Sequence, residues 1–224
     1  MLRAAIFDFD GTIADTIPAL CTGVNLTMKH FGFPLHTEAD VLTFINHGAR
    51  DLIRRAMPAQ LQSDAELLER VFTQYQKDYG SVYLDTDCAY DGMVEAMTAI
   101  RDSLGLQIAV LSNKPDTFVK GLCEQILPAG LCAVARGVTE PSVTKPNPAL
   151  TQEVLDALGV RAEECVMIGD SDVDVAVAEK AGLYHIGVTW GYRSEDALRE
   201  RGATRLAATP EALVEQVRRL QQEV

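Results

Sequence analysis

The sequence lacks the features that mark several large classes of protein. It has no apolar run approaching the ~18 residues a membrane-spanning helix needs, so a membrane protein of that kind is excluded. It has no dense Lys/Arg tract, and 20 basic residues face 32 acidic ones for a formal net charge of −12. A nucleic-acid surface is therefore not expected. An acidic chain can still bind an anion where its pocket is locally positive. Cys21, Cys88, Cys123, Cys132 and Cys165 are odd in number and contain no C-x-x-C pair, which reads as reduced core thiols rather than a disulfide framework. No basic-then-apolar leader, repeat or low-complexity tract is present, and the expectation is a soluble cytoplasmic protein.

What is present is an ordinary globular apolar share, 47% over 224 residues, enough for one large domain or one domain with an insertion. "AAIF" (4–7) reads as a short buried strand. A helix follows, capped by Asp15 or Thr16, with Ile17, Leu20, Val24, Met28 and Phe31 on one face. "TEADVLTFI" and "ARDLIRRAM" predict two further helices, and Ser63 with Glu66 forms a capping-box pattern before a fourth. Thr16 to Asp91 therefore reads as helical only. From Gly92 onward strands and helices alternate: "LQIAVL", "CAVARGV", "ECVMIG", "YHIGVTW" and "RLAA" are the strands. Near-continuous apolar strands between helices predict a parallel sheet covered on both faces. The expected fold is α/β, a Rossmann-like parallel-sheet core (1–15 and 92–224) carrying an inserted all-helical cap (16–91). The cap would leave and rejoin through linkers near 14–16 and 85–92, which together could hinge.

Ligands collect at the carboxyl ends of strands in open parallel sheets. Asp8 and Asp10 follow the first strand, Ser112 and Asn113 follow "IAVL", and Asp170 to Asp174 follow "VMIG". Lys145 lies in the loop "TKPNP". Carboxylates gathered this way repel one another unless a cation sits among them, and oxygen-only ligands suit a hard ion such as Mg²⁺. Lys145 and a hydroxyl beside the ion would hold phosphate oxygens. Gly11 and Thr12 could aim backbone N–H groups at the same anion, and Asn113 is grouped with them as a substrate contact.

"DFDGTIADT", "LSNK", "TKPNP" and "GDSDVD" resemble the four motifs of the haloacid dehalogenase-like phosphohydrolase superfamily, in order and across the whole core. The helical insertion resembles that family's small cap. The resemblance implies that Asp8 is the nucleophile, forming an aspartyl-phosphate, and that Asp10 is the general acid and then base. It implies that Ser112 donates to a phosphoryl oxygen and that Lys145 neutralises charge. It makes Asp170, with the Asp8 side chain and the Asp10 carbonyl, the Mg²⁺ ligands, supported by Asp174. The stretch "FINHGARDL" is similar to that of phosphoglycolate phosphatases, and His47 or Arg50 would contact the substrate from the cap, Arg50 matching a carboxylate. Asn46 and Asp91 depart from that subfamily, which has glycine and proline there.

The substrate read in this way is a small phosphorylated metabolite, 2-phosphoglycolate-like. A phosphosugar mutase or pyrophosphatase of the same superfamily is the alternative within the fold. A phosphonate hydrolase would want a telling cap lysine, and Lys29 and Lys77 are not in such a context. From another class, a non-catalytic phospho-acceptor module would also carry aspartates and a lysine, but at about half this length.

Overall fold

A computed structural model of the chain describes residues 1–45, 47–86 and 88–224. Asn46, one of the two departures noted above, lies outside the described residues. In chain order the elements begin with β1 (Ala4–Phe7), β2 (Ala14–Asp15), α1 (Ile17–Phe31), α2 (Glu38–Phe44) and α3 (Ala49–Ala56). Next come α4 (Ala65–Gly80), α5 (Tyr83–Thr86), β3 (Cys88–Ala89), α6 (Met93–Leu104), β4 (Gln107–Pro115) and α7 (Asp116–Ile126). The chain continues with β5 (Val134–Val138), α8 (Pro148–Leu158), β6 (Cys165–Gly169), α9 (Asp172–Ala181), β7 (Tyr184–Val188), α10 (Glu195–Glu200), β8 (Leu206–Ala207) and α11 (Pro210–Glu223).

Six strands form one sheet in the order β5-β4-β1-β6-β7-β8, and every pairing in it is parallel. Strand residues alternate between the two faces of a sheet. Ala5 and Phe7 of β1 join one apolar cluster with Val166 and Ile168 of β6, while Ala4 and Ile6 join another with Cys165 and Met167. Two buried faces explain the unbroken apolar runs in the sequence. The expected Rossmann-like α/β core is the observed one.

Helices α1 to α4 bury a cluster of their own, including Ile17, Val24, Met28, Ile53, Val71 and Tyr75. Helix α1 tolerates glycine at its centre because α4 passes close by. A Cβ on Gly23 would sit 3.1 Å from the Tyr79 Cα and 2.9 Å from its ring. The local cost of that glycine, about 1 kcal/mol against alanine, is offset by the close helix pairing.

Three local expectations change. The cap of α4 is Asp64, whose side chain accepts from Leu67 N at 2.9 Å, rather than Ser63. The strand expected to stop at Leu111 runs on to Pro115, which pairs with Val138 after a register shift. The stretch expected to be helical only contains β3, which pairs antiparallel with β2 in the opposite linker: Ala14 faces Ala89 and Asp15 faces Cys88. The two linkers are thus stitched into a short ribbon. Among the described side chains, Cys21, Cys123, Cys132 and Cys165 are free thiols. No described helix is long and apolar enough to cross a membrane.

Candidate active site

Strand order gathers the site. The chain switches direction at β1, which lies between β4 and β6; Phe7 is level with Val110 on one side and Ile168 on the other. Neighbouring strands are about 4.8 Å apart. Asp8, Ser112 and Asp170 thus emerge side by side at one rim, at the kind of crevice where such sheets bind ligands.

Lys145 lies at the heart of this rim, its side chain only 2% exposed. Its Nζ stands 2.8 Å from Asp8 Oδ1 and 2.7 Å from Asp174 Oδ1, and donates to the Leu111 carbonyl at 3.1 Å. Burial pulls its ammonium down, but the Asp174 and Asp8 carboxylates outweigh that and hold it above the ordinary lysine range. Asn113 clamps the lysine backbone: its Oδ1 accepts from Lys145 N at 2.6 Å and its Nδ2 donates to Lys145 O at 3.3 Å. Asp174 is fully buried and closes the capping box of α9, accepting from Ser171 Oγ at 2.6 Å and Ser171 N at 3.2 Å.

Asp8, Asp170 and Asp174 present carboxylate oxygens all within 4.8 Å of one another. Burial, then the Asp174 charge, raises Asp8 well above the usual carboxylate range, with Lys145 offsetting part of the rise. The same two causes push Asp170 up to about 7. Three carboxylates against one ammonium leave two negative charges uncompensated, and every donor is an oxygen. That donor set fits a hard divalent cation.

Asp170 is held from three directions. Its Oδ1 accepts from Thr12 Oγ1 at 3.1 Å and its Oδ2 from Tyr192 N at 2.7 Å. Gly11 passes beside it at φ +80°, where a Cβ would come within 2.5 Å of Asp170 Oδ2. The turn after Asp10 therefore needs glycine both for its left-handed backbone and for room. Trp190 donates from Nε1 to the Thr12 carbonyl at 3.1 Å, fixing the same turn.

Asp10 faces the helical layer. Its Oδ1 accepts from Thr16 Oγ1 at 2.7 Å and lies 3.1 Å from Lys114 Nζ. Thr16 heads α1 but spends its hydroxyl here; Asp15 Oδ1 accepts from Ile17 N at 3.2 Å instead. Lys114 also donates to the Tyr79 hydroxyl at 2.6 Å, and its ammonium lies 4.7 Å from the centre of that ring. Tyr192, whose backbone N–H is held by Asp170, links that carboxylate to the helical layer, its hydroxyl accepting from Thr16 N at 2.8 Å.

A cavity of about 60 Å³ opens over these groups, with Asp8, Asp10, Ser112, Lys114 and Lys145 on one side and Leu20, Ile45, Leu52, Tyr75 and Tyr79 on the other. Gly48, between His47 and the α3 helix, lines it. His47 and Arg50 do not; they line a neighbouring cleft with Thr139 and Thr144. Arg50 points to α4, where its Nε donates to Glu69 Oε1 at 2.8 Å. Lys114, Tyr79, Thr16 and Tyr192 went unassigned in the sequence. For Lys114 a signal existed: it stands two residues after Ser112 on an extended strand, hence on the same face. Nothing local marks the other three.

Comparison with known proteins agrees with this geometry. Residues 2–182 match the haloacid dehalogenase-like hydrolase family. The chain is 32% identical over 198 residues to a phosphoglycolate phosphatase of Yersinia pseudotuberculosis, covering 88% of this chain and 85% of that one. It is 30% identical to phosphoglycolate phosphatase 1 of Pseudomonas aeruginosa, covering 90% and 75%. A crystal structure from Lactobacillus delbrueckii subsp. bulgaricus, provisionally described as a phosphoglycolate phosphatase, superposes with a TM-score of 0.87 at 30% identity over 96% of this chain and 98% of that one. The chain belongs to the haloacid dehalogenase-like hydrolase family and is a phosphatase, a phosphoric monoester hydrolase, within it.

Proposed function

We propose that the protein is a Mg²⁺-dependent phosphatase that hydrolyses 2-phosphoglycolate or a closely similar small phosphomonoester through an aspartyl-phosphate on Asp8. The observation that carries the reading is the buried cluster of Asp8, Asp170 and Asp174 around Lys145, with Asp10 poised beside it. The small cavity, roofed by apolar side chains, and the relatives' names support the substrate. Residues 1–15 and 92–224 are taken as the catalytic core and 16–91 as the cap, joined by the ribbon of β2 and β3. A cytoplasmic location fits the free thiols.

Asp8 Oδ1 is occupied by Phe9 N at 2.7 Å and by Lys145, so Oδ2 is the oxygen assigned to attack phosphorus. As the Oδ2–P bond forms, the P–O bond to the leaving alcohol breaks, and Asp10 gives its proton to that oxygen. Asp10 then takes a proton from water as the water attacks phosphorus and frees the Asp8 carboxylate. Positioned proton transfer of this kind contributes about 10²–10⁴-fold. Ser112 and Lys145 hold phosphoryl oxygens, and the Gly11–Thr12 turn is placed to do so through its backbone. Asn113 serves by holding Lys145. Mg²⁺, held by Asp8, Asp170 and the Asp10 carbonyl with Asp174 behind them, would neutralise charge so that an anionic nucleophile can meet an anionic ester. The apolar roof excludes water and strengthens these interactions.

Phosphate release from a panel of phosphorylated metabolites, with and without Mg²⁺, tests the reading. Expected are preference for 2-phosphoglycolate, loss of turnover in EDTA, and a phosphoryl adduct that mass spectrometry places on Asp8. Asp8→Asn should keep the fold and lose more than about 10³-fold in turnover. An adduct elsewhere, or an active Asp8→Asn variant, refutes the nucleophile. Transfer of phosphate to a sugar hydroxyl in place of release favours the mutase.

A further inference from the structure

We propose that Lys114, together with the Tyr79 hydroxyl, is the specificity element that recognises a carboxylate on the leaving group. This rests on the substrate reading just given and deepens it.

Two cations line the described cavity, Lys145 and Lys114. Lys145 is set between Asp8 and Asp174 on the floor. Lys114 stands on the other side of Asp10, toward the helical layer, with its side chain 2% exposed. Strand alternation carries Lys114 into the cavity beside Ser112, while the amide of Asn113 between them bonds the backbone of Lys145. In the proposed mechanism Asp10 protonates the leaving oxygen. A cation 3.1 Å from Asp10 Oδ1 is therefore within a few bonds of whatever that oxygen carries. In 2-phosphoglycolate, one methylene separates the oxygen from a carboxylate.

The surroundings favour that occupant. Leu20, Ile45, Leu52 and Tyr75 enclose the space, so an ion pair formed there is strengthened by low polarity. The room is small, which selects a short acid over a sugar. A lysine ammonium swings on a flexible stem, and the Tyr79 hydroxyl can donate as well as accept. Together they can turn to a carboxylate without leaving Asp10. Arg50, the other candidate for this role, is engaged with Glu69 and lines a different cleft.

The test compares kcat/KM for 2-phosphoglycolate with that for 2-hydroxyethyl phosphate, a neutral ester of nearly equal size. A general disturbance of Asp10 or of the fold slows both esters and cancels in their ratio. Wild type should favour the carboxylate ester at least about tenfold, and Lys114→Met should cut that ratio about 10–100-fold, as for a lost hydrogen bond to a charged group. Lys114→Arg should restore part of the ratio, Tyr79→Phe should lower it several-fold (about a neutral hydrogen bond's worth), and Arg50→Ala should keep it. An unchanged ratio in Lys114→Met, or a collapsed one in Arg50→Ala, overturns the proposal and leaves the phosphatase reading standing. A wild type without preference for the carboxylate ester removes the substrate reading and this inference together. If Lys114→Met does not fold, product inhibition decides: glycolate should compete in wild type more strongly than ethylene glycol, and that advantage should shrink several-fold in Tyr79→Phe. Equal inhibition by both alcohols overturns the proposal.

Discussion

Replacing Lys145 by methionine keeps the volume of the side chain and removes its ammonium from a buried group of three carboxylates. The ammonium lies 2.8 Å from Asp8 and 2.7 Å from Asp174. Removing one partner from such a buried arrangement costs about 3–5 kcal/mol. Protonation sets a ceiling on that cost. A carboxyl group with an ordinary value near 3.9 takes up a proton at pH 8 for about 5.6 kcal/mol, at roughly 1.4 kcal/mol per pH unit. At pH 6 the ceiling falls to about 2.9 kcal/mol by the same arithmetic. The sign follows from linkage: the variant's carboxyls are raised above their unfolded values, so their destabilisation is full above the folded value and fades as pH falls toward the unfolded one. For a chain of this length 1 kcal/mol moves Tm by about 2–4 °C. Thermal melts in EDTA should therefore place Lys145→Met roughly 6–20 °C below wild type at pH 8, and at most about 6–12 °C below it at pH 6. Added Mg²⁺ should narrow the gap at pH 8, because a ligand held by the native state alone stabilises it. A gap that is absent, independent of pH, or wider at pH 6 would refute the account of Lys145 as the charge that holds the cluster together.

Other outcomes follow from the same contacts. Asp170, pushed up to about 7 by burial and the Asp174 charge, would bind a cation only in its charged form. Mg²⁺ affinity measured by calorimetry should be nearly constant above pH 8 and fall up to about tenfold per unit below 7; affinity equal at pH 6 and 8 would refute the assignment. Gly23→Ala gains about 1 kcal/mol of helix propensity but drives a Cβ to 3.1 Å from the Tyr79 Cα, an overpacking of about 1–3 kcal/mol. A lower Tm and a higher KM are expected, the latter because Tyr79 is displaced from Lys114; an unchanged or raised Tm would count against the close α1–α4 pairing.

The parts of the fold legible in the sequence were those governed by near neighbours. The face Ile17, Leu20, Val24 and Met28 is set by helical period, and all four are buried. Thr37 with Asp40 forms a capping box that the local chemistry allows. The choice of Asp64 over Ser63 was not legible, because both can cap and the entry angle of the chain decides. Arg50 illustrates a harder case. Its place in "FINHGARDL" pointed toward the substrate, yet its partner Glu69 is 19 residues away on the next long helix. Asn113 read as a substrate contact; it lines the cavity, and what the sequence did not show is that its amide also holds the backbone of Lys145, 32 residues on.

By itself the sequence determined where the strands of the main sheet and its flanking helices fall, that this sheet is parallel and buried on both faces, and which four segments carry acids, a hydroxyl and a lysine. These depend on composition and spacing over a few residues, where periodicity and capping act. Only the tertiary structure decided that β1 lies between β4 and β6, that Asp8 and Asp174 share one buried ammonium, and that Lys114 joins Asp10 to Tyr79. Burial and charge pairing are properties of groups brought together across the whole chain. Their partners are set by strand order and helix packing, which no local pattern records.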